Sequence, residues 1–275
     1  MREYGTTDRH GSIRSVLLTN DDGVSAEGLG TLVGAFLRLE GTEVWVVAPD
    51  RERSASGHSI SIHHPVEVSE RTSASPRVHV YATSGTPADC VKLALSGLLP
   101  EKPALVVSGI NRGPNLGRDV FYSGTVSAAL EAALSGVDGI AVSITAYERV
   151  EYEFAAEFAV TLAERVLKTE DNAGRLGKRP RLLNVNVPAV RREDVAGIAI
   201  TRLELKRPSD FFVKRQDPFG RFWYWMVRET CPDDAVSDTD VYAVSRNLIS
   251  ITPLRLDLTD SGVFAELADL TSGFM

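Results

Sequence analysis

The chain has 275 residues, of which 43% are hydrophobic and 24% charged, and a formal net charge of -7. That length and core-forming content suit one large α/β domain with an extension, and the negative balance argues against a basic surface for a nucleic-acid duplex. No uncharged apolar run is long enough to span a bilayer, and two distant cysteines without a CxxC pair, Cys90 and Cys231, argue against a disulfide framework or a cysteine zinc site and fit a reducing, cytoplasmic setting.

The opening MREYGTTDRHGS is polar and lacks an apolar signal core, so residues 1–13 are read as a tail outside the fold. Ser15–Leu18 is a short buried strand that stops at Thr19-Asn20-Asp21-Asp22-Gly23. Leu29, Leu32, Val33, Phe36 and Leu37 then form one apolar stripe at helical spacing, closed by Gly41. Val44–Ala48 is the next strand. Strand, helix and strand at this spacing make a βαβ unit and imply a parallel sheet.

Ser59–His64, Val66–Ser69 and Arg77–Thr83 are expected as short strands. Thr86-Pro87-Ala88-Asp89 is a helix start, with Thr86 at the cap and Pro87 in the first turn. The stripe Val91, Ala94, Leu95 and Leu98 continues that helix. Ala104–Val107 is a strand running into Ser108-Gly109-Ile110-Asn111, followed by a glycine-rich loop to Tyr122. A small-residue helix runs from about Ser123 to Leu134, a strand over Ile140–Ile144 and an amphipathic helix over Glu151–Leu167. Thr169–Pro180 reads as a surface connection and Leu182–Val187 as a strand. The reading is a mostly parallel α/β domain over 14–188 and a β-rich extension over 189–275. Lys214–Val227 is an aromatic hairpin turning at Asp-Pro-Phe-Gly, whose exposed side needs the cover a second subunit would give. Leu248–Pro253 is a final strand.

Four segments carry chemistry. Asp21 and Asp22 follow the first strand, at the edge where open parallel sheets bind ligands. Gly23 permits the turn that lets both acids serve one site, and paired carboxylates repel unless a cation lies between them. The bland alternative is a solvated turn. Asn111 and Asn115, in a long loop with three glycines, offer oxygens to a metal and amide donors to a phosphate. Tyr122-Ser123-Gly124-Thr125 opens a helix, where free N–H groups attract anions, although a plain cap is the simpler reading. Asp50–His58 carries Ser54, a candidate hydroxyl ligand, and arginines suited to phosphate. His58 is a candidate acid or base; Glu52 reads as part of an exposed turn. There is no P-loop and no GxGxxG after the first strand.

With these residues in view, the sequence resembles the SurE survival-protein family. The matching stretches are TNDDGVSAEGL, VVAPDRERSASGHSIS, GTPADCVKLAL, VVSGINRGPNLGRDVFYSGTVSAALEAA and TD…ISITPL, which span nearly everything from Val16 onward. The resemblance implies a Rossmann-like, three-layer domain and a C-terminal extension used in forming homodimers or homotetramers. It implies a nucleoside-monophosphate phosphatase, in some members also acting on 3′-nucleotides and polyphosphate. It implies one divalent cation per subunit, Mg2+ or Mn2+, held by Asp21, Asp22, Ser54 and Asn111. It assigns phosphate binding to Asn115, Ser123, Gly124 and Thr125. The sequence departs at Arg246-Asn247-Leu248, where many relatives carry a glycine.

The expected chemistry is in-line attack on phosphorus by a water that the cation activates, with catalysis carried by Asp21, Asp22 and Asn111. Two rivals are a phospho-aspartate intermediate and a non-catalytic nucleotide sensor with the same metal site.

Overall fold

The apolar run at residues 15–19 becomes the middle of a sheet. A computed structural model describes residues 15–148, 150–171, 179–205, 211–227 and 236–272. The expected tail, Cys231 and most of the polar connection before residue 179 lie outside the described residues. Strand β1 (Ser15–Thr19) is buried along its whole length and pairs in parallel with β2 (Glu43–Pro49) and β5 (Leu105–Arg112). Strands covered on both faces need unbroken apolar runs rather than alternation, which is why SVLL and VWVVA read as they do.

Among the described residues the sheet has nine strands. It adds β3 (Val68–Arg71), β4 (Val78–Thr83), β6 (Asp138–Ile144), β7 (Leu182–Val187), β8 (Gly197–Ile200) and β11 (Leu248–Pro253), in the order β3-β4-β2-β1-β5-β6-β7-β11-β8. The run from β4 to β7 is parallel; β3 joins β4 and β11 joins β7 in antiparallel sense, while β8 lies parallel to β11. The expected aromatic hairpin forms a separate two-stranded sheet, β9 (Phe211–Gln216) against β10 (Phe222–Val227).

Helices cover both faces. Helix α1 (Glu27–Phe36) and α4 (Glu153–Asp171) pack against one face around Leu18, Leu32, Phe36 and Ala159. Helix α2 (Pro87–Leu93) and α3 (Gly124–Leu134) cover the other around Leu17, Val47, Val106 and Ala128. The small residues Ala128, Ala129 and Ala132, none of them exposed, let α3 lie close to the sheet. Two short helices, α5 (Asp240–Ser245) and α6 (Phe264–Leu270), flank β11 in sequence.

Several expectations change in detail. Ser59–His64 is not a strand; its polar groups turn to α2, where Ser61 donates from N and Oγ to Asp89 (2.9 and 2.7 Å). Strand β5 does not stop before Ser108 but continues to Arg112, its register with β6 shifting between Ser108 and Asn111. The stripe beyond α2 winds as a wider π turn over Ala94–Leu98. Strand β8 and helix α5 have sequence signals too short to anticipate. At the departure before β11, Asn247 takes φ 56°, a left-handed conformation that asparagine tolerates better than most residues, so it stands in for the glycine.

Candidate metal and phosphate site

The sheet order reverses at β1: β2 lies on one side and β5 on the other. Such a switch point leaves a crevice at the carboxyl ends of the strands. The Asp21-Asp22 turn sits in it. Asn20, fully buried, builds the turn: its Nδ2 donates to the Gly23 carbonyl (3.0 Å) and its Oδ1 accepts from the Gly23 amide (3.2 Å). Gly23 takes φ 104°, and a Cβ there would lie 3.1 Å from the Arg51 carbonyl carbon, so only glycine closes the turn without strain.

The neighbouring loops are tied to this turn by backbone bonds. Val24 N donates to Pro49 O (2.7 Å) and Arg53 N to Asp21 O (2.7 Å), which brings the loop after β2, with Ser54, alongside the aspartates. Arg112 N donates to Asp22 Oδ2 (3.2 Å), which brings the end of β5, with Asn111, from the other side. The start of α3 closes the third side. A Cβ on Gly124 would lie 2.7 Å from Asp21 Cβ, and the Thr125 hydroxyl donates to Asp21 Oδ1.

Asp21 is only 5% exposed, and among the described residues neither it nor Asp22 forms an ion pair with a lysine or arginine. Burial pushes the Asp21 carboxyl up to about 6, against the pull of the Thr125 hydroxyl, and the Asp22 charge adds to the rise. Asp22 is also raised, by burial first and by Glu52 in lesser degree, against the pull of the Arg112 amide and side chain. A buried acid beside a half-buried one, with no ion pair from a lysine or arginine among the described residues, makes a centre that favours a cation. Among the described residues no three His, Cys, Asp or Glu side chains converge, so further donors would be neutral oxygens. Asn111 fits this: its Nδ2 is spent on Gly113 O (2.8 Å), which leaves Oδ1 as the donor atom. Carboxylate, amide and hydroxyl oxygens are the set that hard divalent cations take. Beneath the turn, Thr19 and Ser108 are register partners, and both have buried hydroxyls without a hydrogen-bond partner among the described residues. Orphaned polar atoms of this kind mark a place for water or a ligand oxygen.

The remaining sequence candidates fall into distinct places. The Ser54 hydroxyl donates to Glu52 Oε1 (2.6 Å). Ser123 caps α3, accepting from Val126 N (3.1 Å), and its hydroxyl donates to no partner among the described residues. Asn115 is locked from several sides. Its amide donates to Asn186 Oδ1 (2.8 Å) and its Nδ2 to Ser143 Oγ (2.8 Å); its carbonyl accepts from Asn184 and Asn186. His58 does not join the aspartates: its Nε2 lies 3.0 Å from Glu131 Oε2, along α3. Glu52 is exposed in its loop, as expected; sequence reasoning missed the roles of Asn20, Asn184 and Asn186. Asn20 had a readable signal, an Asx residue at the end of a buried strand; the two β7 asparagines had none, because only the fold brings β7 beside the Asn115 loop.

The chain is similar to known proteins over most of its length. Residues 16–210 match the family model described as survival protein SurE. The 5′-nucleotidase SurE of Heliobacterium modesticaldum is 47% identical over 259 residues, covering 94% of this chain and 92% of that protein. The 5′-nucleotidase SurE of Thermosynechococcus vestitus is 48% identical over 251 residues, covering 89% and 91%. Among solved structures, the SurE protein from Aquifex aeolicus superposes with a TM-score of 0.79 at 38% identity, over 93% of this chain and 99% of that one.

Proposed function

The chain belongs to the survival protein SurE family, and from that premise we propose that it is a metal-dependent phosphohydrolase that releases phosphate from nucleoside 5′-monophosphates. The observation that carries the reading is the adjacent pair of buried Asp21 and half-buried Asp22, without a salt bridge among the described residues, beside the N-terminus of α3. A 5′-nucleotidase activity in relatives of this similarity supports the substrate class.

In this reading Asp21, Asp22, Asn111 and Ser54 hold one divalent cation, Mg2+ or Mn2+. When bound, the cation supplies charge neutralisation at the phosphoryl oxygens and lowers the pKa of a water. The protein's own groups do the rest. Thr125 fixes the Asp21 carboxylate, the Arg112 amide fixes that of Asp22, and the Gly113 carbonyl orients Asn111. The Gly124 amide and the Ser123 hydroxyl, at the positive end of α3, donate to non-bridging phosphate oxygens as charge develops there. Asn115 shapes the floor of the phosphate subsite. Residues 14–188 form the Rossmann-like catalytic part; the extension over 189–275, with its aromatic hairpin, mediates assembly into a homodimer or homotetramer. The free, buried Cys90 supports a reducing cytoplasmic setting.

The test is phosphate release from a panel of 5′- and 3′-nucleoside monophosphates after chelation, with and without Mg2+ or Mn2+, beside Asp22→Asn. The expected result is metal-dependent release that falls by at least 100-fold in the variant. Nucleotide binding without release by folded, metal-loaded protein would overturn the hydrolase in favour of a sensor. Hydroxylamine-sensitive label on the stopped protein would replace water attack by a phospho-aspartate route.

A further inference from the structure

Glu131 lies two turns into α3, is 4% exposed, and is not among the candidate metal or phosphate residues. Its carboxylate is shared: Oε1 accepts from Lys92 Nζ on α2 (3.1 Å), and Oε2 meets His58 Nε2 (3.0 Å). A buried carboxylate is costly without such partners, and leaving one unpaired is costlier still. His58 belongs to the loop between β2 and β3, the same loop that carries Ser54 to the aspartates.

That loop is held in an unfavourable shape. Ala55 takes φ 56°, a left-handed conformation that is unfavourable for a residue with a Cβ. Gly57 follows with φ 55°. Strained backbone of this kind persists only where the surroundings fix it. The fixing contacts can be named. Arg53 N donates to Asp21 O, and Gly57 N to Tyr122 O (3.0 Å). The Thr86 hydroxyl donates to Ser59 O (2.7 Å), and Asp89 holds Ser61. Between the Gly57 and Ser59 backbone anchors, His58 ties the loop to the body of the protein through Glu131.

We propose that Lys92, Glu131 and His58 form a latch in which His58 acts as a positioning residue, holding the Ser54–Gly57 kink against α3 so that the Ser54 hydroxyl is presented to the cation site. The inference rests on the metal-centre reading above. A neutral His58 suffices: its Nε2–H donates to Glu131, whose second oxygen is satisfied by Lys92. The latch thus joins α2, α3 and the site loop, and it explains why a helix facing an apolar core keeps an acid at position 131.

The test uses the full chain with His58→Leu, His58→Gln, Glu131→Gln, Ser54→Ala and the His58→Leu/Ser54→Ala pair. Two quantities are read: Mn2+ affinity by calorimetry, and amide hydrogen exchange over residues 53–61 in the metal-free protein. His58→Leu is expected to weaken Mn2+ binding by about tenfold or more, the range seen when a group orienting a ligand is lost. It should also speed exchange at 54–58 while the sheet stays protected. His58→Gln, which keeps an N–H for Glu131, should recover most of both, and Glu131→Gln should share the faster exchange. In the Ser54→Ala background His58→Leu should add less than a further twofold loss. Wild-type affinity and exchange in His58→Leu would overturn the latch, as would a loss that persists in full without the Ser54 hydroxyl. A wild-type chain that binds no Mn2+ would overturn the metal centre, and the latch as a metal-positioning device with it; unchanged metal binding with no phosphate release would overturn only the hydrolase.

Discussion

Thr125 is the residue whose role changes most between sequence and structure. Read as part of an anion-binding helix start, it spends its hydroxyl on Asp21 instead. Replacing it with valine keeps the shape and removes the donor, so the Asp21 carboxyl should rise further and Mn2+ affinity should fall by about 10–100-fold; calorimetry with Thr125→Val checks this, and unchanged affinity would return the hydroxyl to the phosphate. Asp89 is the clearest pH-dependent residue away from the site. Burial pushes its carboxyl up, but hydrogen bonds from Ser61 and Thr86 outweigh that and hold it below its ordinary value. A lowered carboxylate stabilises the fold above the unfolded value of about 3.9 and loses that contribution as pH falls through the folded value. Asp89→Asn should therefore cost about 1–2 kcal/mol near neutral pH, the range for a lost helix cap, and the gap to wild type should close below about pH 4. Urea melts across pH measure both. Cys90 is a further check on the packing: burial pushes its thiol up to about 12, so its peptide should resist alkylation in native protein and label once unfolded.

At the scale of elements, the site depends on how closely α1 and α3 approach the strands. Gly28 in α1 has no room for a side chain, since a Cβ would lie 2.2 Å from the Ile110 carbonyl oxygen. The obstacle is backbone on β5, the strand that delivers Asn111, so neither partner can yield alone. Gly28→Ala should destabilise by about 1–3 kcal/mol, as overpacked cores do. Because α1 begins four residues after Gly23, it should also shift the aspartate turn and weaken metal binding. Thermal melts with and without Mn2+ separate the two effects: a lower midpoint with an unchanged metal-induced increment would confine the damage to packing.

At the scale of the whole molecule, the strands beyond residue 188 divide. Strands β11 and β8 extend the central sheet, while among the described residues β9 and β10 pair with each other alone. On the hairpin, Phe212, Phe219, Phe222, Trp223, Tyr224 and Trp225 are each more than half exposed. A patch of this kind marks an interaction surface, and assembly of identical chains is the use proposed for it. Trp225→Asp should lower the oligomeric state seen by analytical ultracentrifugation while leaving the far-ultraviolet spectrum unchanged. An unchanged mass would assign the assembly surface to another part of the chain.

What the sequence determined by itself is what short range dictates. Apolar runs such as SVLL and VWVVA make buried strands, and Thr86-Pro87-Ala88-Asp89 makes a capped helix start. Asp-Pro-Phe-Gly makes a hairpin turn, and Asn-Asp-Asp-Gly at a strand end makes a polar turn able to present two acids. Each rests on local torsions, local hydrogen bonds or the period of side chains along one element. The tertiary structure decided which distant groups meet. Asp21 finds Thr125, Asn115 finds Ser143, Asn184 and Asn186, and Glu131 finds both Lys92 and His58. Those contacts depend on strand order and on how near α3 lies to the sheet, and both follow from packing summed over the whole core, which no local pattern encodes.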